Sequence, residues 1–117
     1  MTTASRAFIA KLLEKKYGVL GIVASRYVKA GYSVEINHPT RYGPIPIVAR
    51  KGGSMLAIEV LHNSSDATLD RIKLLREKAA LIKAKPVLVI YSTARARLHE
   101  EVVNYCRESG VKIKFLP

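Results

Sequence analysis

A chain of 117 residues fits one domain and no more, and with 49% of them apolar it can bury a core. Its single cysteine, Cys106, excludes an internal disulfide, no apolar run approaches the roughly 18 residues of a membrane span, and residues 1–10 lack the apolar core of a secretory leader, so a cytoplasmic protein is expected. Lys and Arg number 20 against 9 Asp and Glu, a net charge of +11 that points to a polyanionic partner, nucleic acid first.

In chain order, residues 5–16 are expected to form a helix, with Phe8, Ile9, Leu12 and Leu13 at helical spacing and Lys11, Lys15 and Lys16 elsewhere around the axis. Tyr17-Gly18 interrupts it. A second helix is expected over residues 19–29 with Leu20, Val23, Ala24, Tyr27 and Val28 inward and Gly31 as a left-handed end; one helix bent at Gly18 and Gly21 is the alternative. Residues 32–37 alternate as a half-buried strand. A loop carrying Arg41 and Tyr42 leads to a strand over residues 45–50, where Pro46 sits near the start and its missing N–H is tolerated. Lys51-Gly52-Gly53-Ser54 reads as a hairpin turn, and residues 55–61 as a central strand.

Ser64, Ser65 and Asp66 offer caps for a helix running to about Lys83, with Leu69, Ile72, Leu75, Ala79 and Ile82 on one face. Residues 87–91 read as a buried strand. Ser92 or Thr93 is expected to cap a last helix bearing Leu98, Val102, Tyr105 and Cys106, which ends at Gly110 before a strand over residues 111–116. The order is α(α)βββαβαβ: an antiparallel hairpin followed by strands joined through helices, hence a mixed α/β sheet covered on both faces.

Three segments resemble the PD-(D/E)XK nuclease superfamily, most of all archaeal Holliday junction resolvases and Mrr-type domains. Gly18-Val19-Leu20-Gly21-Ile22, leading to Tyr27 through Val34, is similar to the family's first core helix and strand. Pro44-Ile45-Pro46-Ile47-Val48-Ala49 is similar to the strand that bears a metal-binding aspartate, and Leu56-Ala57-Ile58-Glu59-Val60-Leu61 to the strand that ends in Glu-x-Lys. The resemblance implies a restriction-endonuclease-like fold over residues 1–117, with residues 1–17 as an additional N-terminal helix. In that family two carboxylates on adjacent strands hold magnesium, which activates water and stabilises charge on the phosphate. A lysine two residues past the glutamate shares its strand face and orients the water or neutralises the phosphate.

Here the aspartate position falls on Pro46, or on Ile45 one residue earlier; the lysine position falls on Leu61, and the glutamate that some members of the family add from the first helix falls on Ile22. Only Glu59 matches. The expectation is a non-catalytic relative that needs no metal. Glu35, Asp66 and Lys73 could rebuild a site, but read more simply as a strand carboxylate, a cap and a wet helix position. His38, His62 and His99 show no metal-ligand spacing. Ser64 and Ser65 have no base placed beside them, and Cys106 reads as core.

What remains is charge. Arg41, Tyr42, Arg50 and Lys51 on the hairpin loops, Lys11, Lys15 and Lys16 on the first helix, and Arg95 and Arg97, expected in the first turn of the last helix where the dipole disfavours cations, are the candidate nucleic-acid contacts. Backbone rather than base contact follows from such residues, with DNA ahead of RNA and a homodimer by analogy with the resolvases. A membrane surface is not expected, because no segment pairs a basic face with exposed Trp or Phe. Two other functions stay open: an active magnesium-dependent endonuclease with a rearranged site, and a structural or regulatory subunit that docks on a protein partner.

Overall fold

The structure is a computed structural model that describes residues 3–92 and 98–116. The elements follow the expected order: α1 (Thr3–Tyr17), α2 (Val19–Lys29), β1 (Ser33–His38), β2 (Ile45–Lys51), β3 (Ser54–Leu61), a single 3-10 turn (Ser64–Asp66), α3 (Leu69–Leu81), β4 (Lys85–Tyr91), α4 (Glu100–Ser109) and β5 (Lys112–Leu116). The strands form one sheet in the order β1-β2-β3-β4-β5. Pairs β1–β2 and β2–β3 are antiparallel; β3–β4 and β4–β5 are parallel. This is the mixed, restriction-endonuclease-like sheet that the pattern and the resemblance implied.

The α1–α2 break is real, and glycine causes it. Gly18 takes φ +60 between the helices, and a Cβ on Gly21 would lie 1.9 Å from the Leu13 carbonyl oxygen. Only a glycine lets α2 fold back this closely on the end of α1. The Ser25 hydroxyl, buried between them, reaches Glu14 Oε1 at 2.9 Å. α2 ends as expected, with Gly31 at φ +98, Gly31 N–H donating to Val28 O and Tyr32 N–H to Tyr27 O.

Strand alternation divides the core into two layers. Val23, Ala24, Tyr27, Ile47, Ala49, Ile58, Val87 and Val89 pack under the α1–α2 pair. Ile45, Val48, Ala57, Leu61, Ile72, Leu75, Leu88, Ile90, Val102 and Cys106 pack under α3 and α4. Ile45 and Val48 fall on one side and Ile47 on the other, so strict alternation fails at Pro46, opposite the point where Asn37 takes φ +53 in β1.

Three local expectations are corrected. Thr68, not Ser64–Asp66, caps α3: its Oγ1 accepts the Arg71 N–H at 3.3 Å. The helix stops at Leu81 because Lys83 turns left-handed, φ +56, and Ala84 N–H closes back on Ala79 O. Ser92 does not cap α4, and Thr93 lies outside the described residues. Ser92 N–H donates to Leu116 O, and α4 begins at Glu100, preceded by His99 without a side-chain cap.

α1 also differs from expectation. Ile9 and Leu13 are half-buried, whereas Phe8 is 65% and Leu12 51% exposed, one turn apart and beside exposed Lys11 and Lys15. A basic segment with an exposed Phe therefore exists, and the reason given against a surface-binding helix does not hold. Among the described residues no helix is long and apolar enough to cross a membrane.

Candidate functional site

Of the residues at the motif positions, Glu59, Ile45 and Leu61 are brought to the α3 side of the β2–β3 hairpin, and packing there decides their chemistry. Glu59 lies between Ala57 and Leu61 on β3, which both belong to the α3–α4 layer, so strand alternation turns it to that side. It is half-buried and accepts the N–H of Val60 at 3.1 Å. Burial pushes its carboxyl above the usual carboxylate range, and the Val60 N–H, Lys78 and Arg71 pull it only part of the way back.

Leu61, at the lysine position, is 2% exposed, and Ile45 is fully buried in the same layer. Pro46 is half-buried beside it. Ile45 is thus the residue at the aspartate end of β2 that shares the Glu59 side. Ile22 is elsewhere: it is half-buried on α2, which packs over β1 and β2 on the opposite face. The structure therefore gathers Glu59, Ile45 and Leu61 and leaves Ile22 out.

One side chain here was missed by the motif reading. Lys78 of α3 is only 7% exposed, and its Nζ donates to the Pro44 carbonyl at 3.0 Å. The ammonium ties α3 to the loop that precedes β2, and it is one of the two cations that act on Glu59. The signal was present in the sequence. Position 78 stands three residues after Leu75 and four before Ile82, on the apolar stripe of α3, and a lysine on such a stripe must find a partner.

Magnesium binding needs one or two carboxylates with further oxygen ligands held in octahedral geometry. One carboxyl that resists ionisation, with Ile45 and Leu61 beside it and a buried ammonium nearby, does not fit that ion. Among the described residues no group of three His, Cys, Asp or Glu is placed to share a metal. Glu35 is engaged on the other hairpin edge. It meets His38 Nδ1 at 2.7 Å and Arg50 at 3.3 Å, and these, His38 first, lower its pKa against the opposing effect of burial. Asp66 is exposed in the 3-10 turn, Lys73 lies over the Tyr105 ring, and His62 and His99 are exposed apart from each other. Cys106 is core, and burial pushes its thiol up.

The candidate nucleic-acid contacts do not form one patch. Arg41 and Tyr42 form the exposed tip of the β1–β2 loop, stacked at 5.2 Å, in a turn held by Gly43 N–H to Thr40 O and Tyr42 N–H to Thr40 Oγ1. Arg50 and Lys51 lie at the far end of β2 and are occupied within the fold. Arg50 pairs with Glu35; Lys51 Nζ donates to Ala30 O at 2.8 Å and sits over the Tyr32 ring. Lys11, Lys15 and Lys16 are exposed on α1. Arg95 and Arg97 lie outside the described residues. Since α4 starts at Glu100, its first turn carries Glu100 and Glu101, which suit the helix dipole, and the dipole argument made for the two arginines lapses.

A family model described as a PD-(D/E)XK superfamily domain matches residues 17–113. A crystal structure of a repair endonuclease from Pyrococcus abyssi is similar in fold, with a TM-score of 0.52 and 14% identity over 94% of this chain and 46% of that one. The chain thus spans less than half the length of that endonuclease. No curated protein sequence matches it. A sheet of this order and a family match over most of the sequence lead to one conclusion: the chain belongs to the PD-(D/E)XK superfamily.

Proposed function

We propose that this chain is a nucleic-acid-binding member of the superfamily that does not cut, acting on DNA before RNA and needing no metal. The observation that carries the reading is the packing at the motif: Ile45 and Leu61 are sealed into the core on the side where Glu59 stands as a lone, protonation-prone carboxyl. A net charge of +11 supports a polyanionic partner. Arg41 and Tyr42 at the loop tip, with Lys11, Lys15 and Lys16 on α1, are the contacts left free for the backbone of such a partner. Phe8 and Leu12, exposed between those lysines, are the apolar surface that a second copy would cover in a homodimer.

Junction, flap and duplex DNA incubated with magnesium or manganese test the absence of cutting; cleavage lost in Glu59→Ala would overturn it. Binding titrated across a salt series should weaken steeply, since each phosphate contact releases counterions. Affinity indifferent to salt removes the nucleic-acid reading.

Lys78 favours a second reading, a rearranged active site in which this ammonium stands in for the charge missing at Leu61. The same incubation decides between the two, with Lys78→Met added: metal-dependent cleavage lost in both Glu59→Ala and Lys78→Met supports the active site.

A further inference from the structure

The α1–α2 pair covers one face of the sheet unevenly. α2 packs over β1 and β2, and where β3, β4 and β5 begin the same face opens as a trough of about 580 Å³. That volume lies within the roughly 300–1,000 Å³ of sites that take small molecules. Its charges among the described residues are of one sign: Arg26 from α2, Lys85 from β4, and Lys112 and Lys114 from β5. Lys112 and Lys114, two residues apart, share this face. Among the described residues neither they nor Lys85 enters a salt bridge. Cations gathered in one place repel one another, and an anion relieves that cost.

A second observation is independent of the charges. Tyr27, which lines the trough, is 6% exposed, and its buried hydroxyl has no hydrogen-bond partner among the described residues. Lys114 Nζ lies 5.5 Å from the Tyr27 ring centroid. Buried hydroxyls in native proteins are nearly always paired, so an unpartnered one asks for an acceptor. Burial, with Tyr32 adding to it, raises the Tyr27 pKa and keeps the group a donor. The floor is apolar, with Leu56 and Val87 beneath the cations.

We infer that this trough is an anion site for the phosphate of a nucleotide, with Lys112 and Lys114 supplying the charge and the Leu56–Val87 floor receiving the base or sugar, and with the Tyr27 hydroxyl, closed off from solvent in this structure, donating to a phosphate oxygen once the side chains that cover it part. It is separate from the motif. Glu59 stands farther along β3 and on the other face, and the site does not depend on the surfaces proposed for duplex binding. Its ligand is either a free nucleotide or the phosphorylated end of a strand.

The test is calorimetric titration of the full chain with adenosine monophosphate, with a 5′-phosphorylated single-stranded oligonucleotide and with the same strand bearing a 5′-hydroxyl. Saturable binding of the monophosphate marks a free-nucleotide site. Binding of the phosphorylated strand at least tenfold tighter than its hydroxyl twin, without the monophosphate, marks a strand-end site. Tyr27→Phe should weaken the bound ligand about tenfold, as for one hydrogen bond to a charged acceptor, while melting no lower than the parent. Lys112→Ala/Lys114→Ala should weaken it more, and Lys73→Ala, which removes a positive charge on α3 outside the trough, not at all. The inference is overturned by no preference for the phosphate, by unchanged affinity in a folded Tyr27→Phe, or by an equal loss in Lys73→Ala. Loss of duplex binding from Arg41→Ala or Lys11→Ala variants concerns the proposed function and leaves this site untouched.

Discussion

The two faces of this sheet share their strands and treat charge in opposite ways. On the α3–α4 face the motif positions are filled with Ile45 and Leu61, the ionised form of Glu59 is penalised by burial, and Lys78 is turned to a backbone carbonyl. On the α1–α2 face the helices leave a gap, and Arg26, Lys85, Lys112 and Lys114 line it where water reaches them. The difference teaches that a fold can keep its frame while its charge sits far from the place the family resemblance points to. Ions are tolerated cheaply where they stay wet and only with partners where they are packed.

The largest effect is expected from lifting the cover off one face alone. Gly21→Ala puts a methyl 1.9 Å from the Leu13 carbonyl oxygen and must push α2 off α1. A cost of about 4 kcal/mol or more is expected in chemical denaturation, at the exceptional end for one substitution. Hydrogen exchange should lose protection in α1 and α2 first and keep it in β3 and β4. Uniform loss across the sheet would mean that the two faces are not separable.

Next in size is Leu61→Ala, which opens a cavity in the closed face and should cost about 3 kcal/mol, within the usual range for a buried leucine. Leu116→Ala, half-buried at the trough, should cost less than about 1 kcal/mol. Equal costs in parallel melts would contradict the claim that only one face is fully packed.

Lys78→Met should cost about 1–2 kcal/mol, because it leaves the Pro44 carbonyl without its donor, whereas Lys112→Ala should stay within about 0.5 kcal/mol. The smallest effect has the opposite sign. The folded state holds the Glu59 proton more tightly than the unfolded chain, whose value is 4.5. Its contribution to stability is therefore fully present below that value and is lost as pH rises through the folded one. Glu59→Gln removes the loss, and should melt slightly above the parent at about pH 7 with the gap closing towards about pH 4. A variant that melts lower at neutral pH would show the carboxylate to be a net stabiliser through Lys78.

Much of the architecture was legible because it is written in local signals. The glycines at 18, 31, 52 and 110 all take positive φ at the breaks they were expected to make. The alternation of Val34 and Ile36 with Ser33 and Glu35 placed the first strand, and the run from Val87 to Ile90 placed a buried one. What was missed depends on contacts distant in sequence. That Thr68 rather than Ser64 caps α3 follows from where the chain leaves β3. The exposure of Phe8 and Leu12 depends on which side of α1 meets α2. Arg50 and Lys51 look free until Glu35 and the Ala30 carbonyl are brought to them across the sheet. Of the candidate site, Glu59 was singled out by the family resemblance alone. Lys78 could have been found by asking why a lysine stands on an apolar stripe. The trough could not, since its cations come from α2, β4 and β5, up to 88 positions apart in a chain of 117.

The position of β5 gives the same lysines a further consequence. It is the last strand of the sheet, and among the described residues nothing pairs with its outer edge. A bare edge is a template on which another chain can zip up, and lysines along it are a common deterrent, because two such edges brought together repel. Lys112 and Lys114 guard this border by charge alone. A phosphate bound in the proposed site would neutralise them, and the repulsion that discourages pairing along this edge would fall with it.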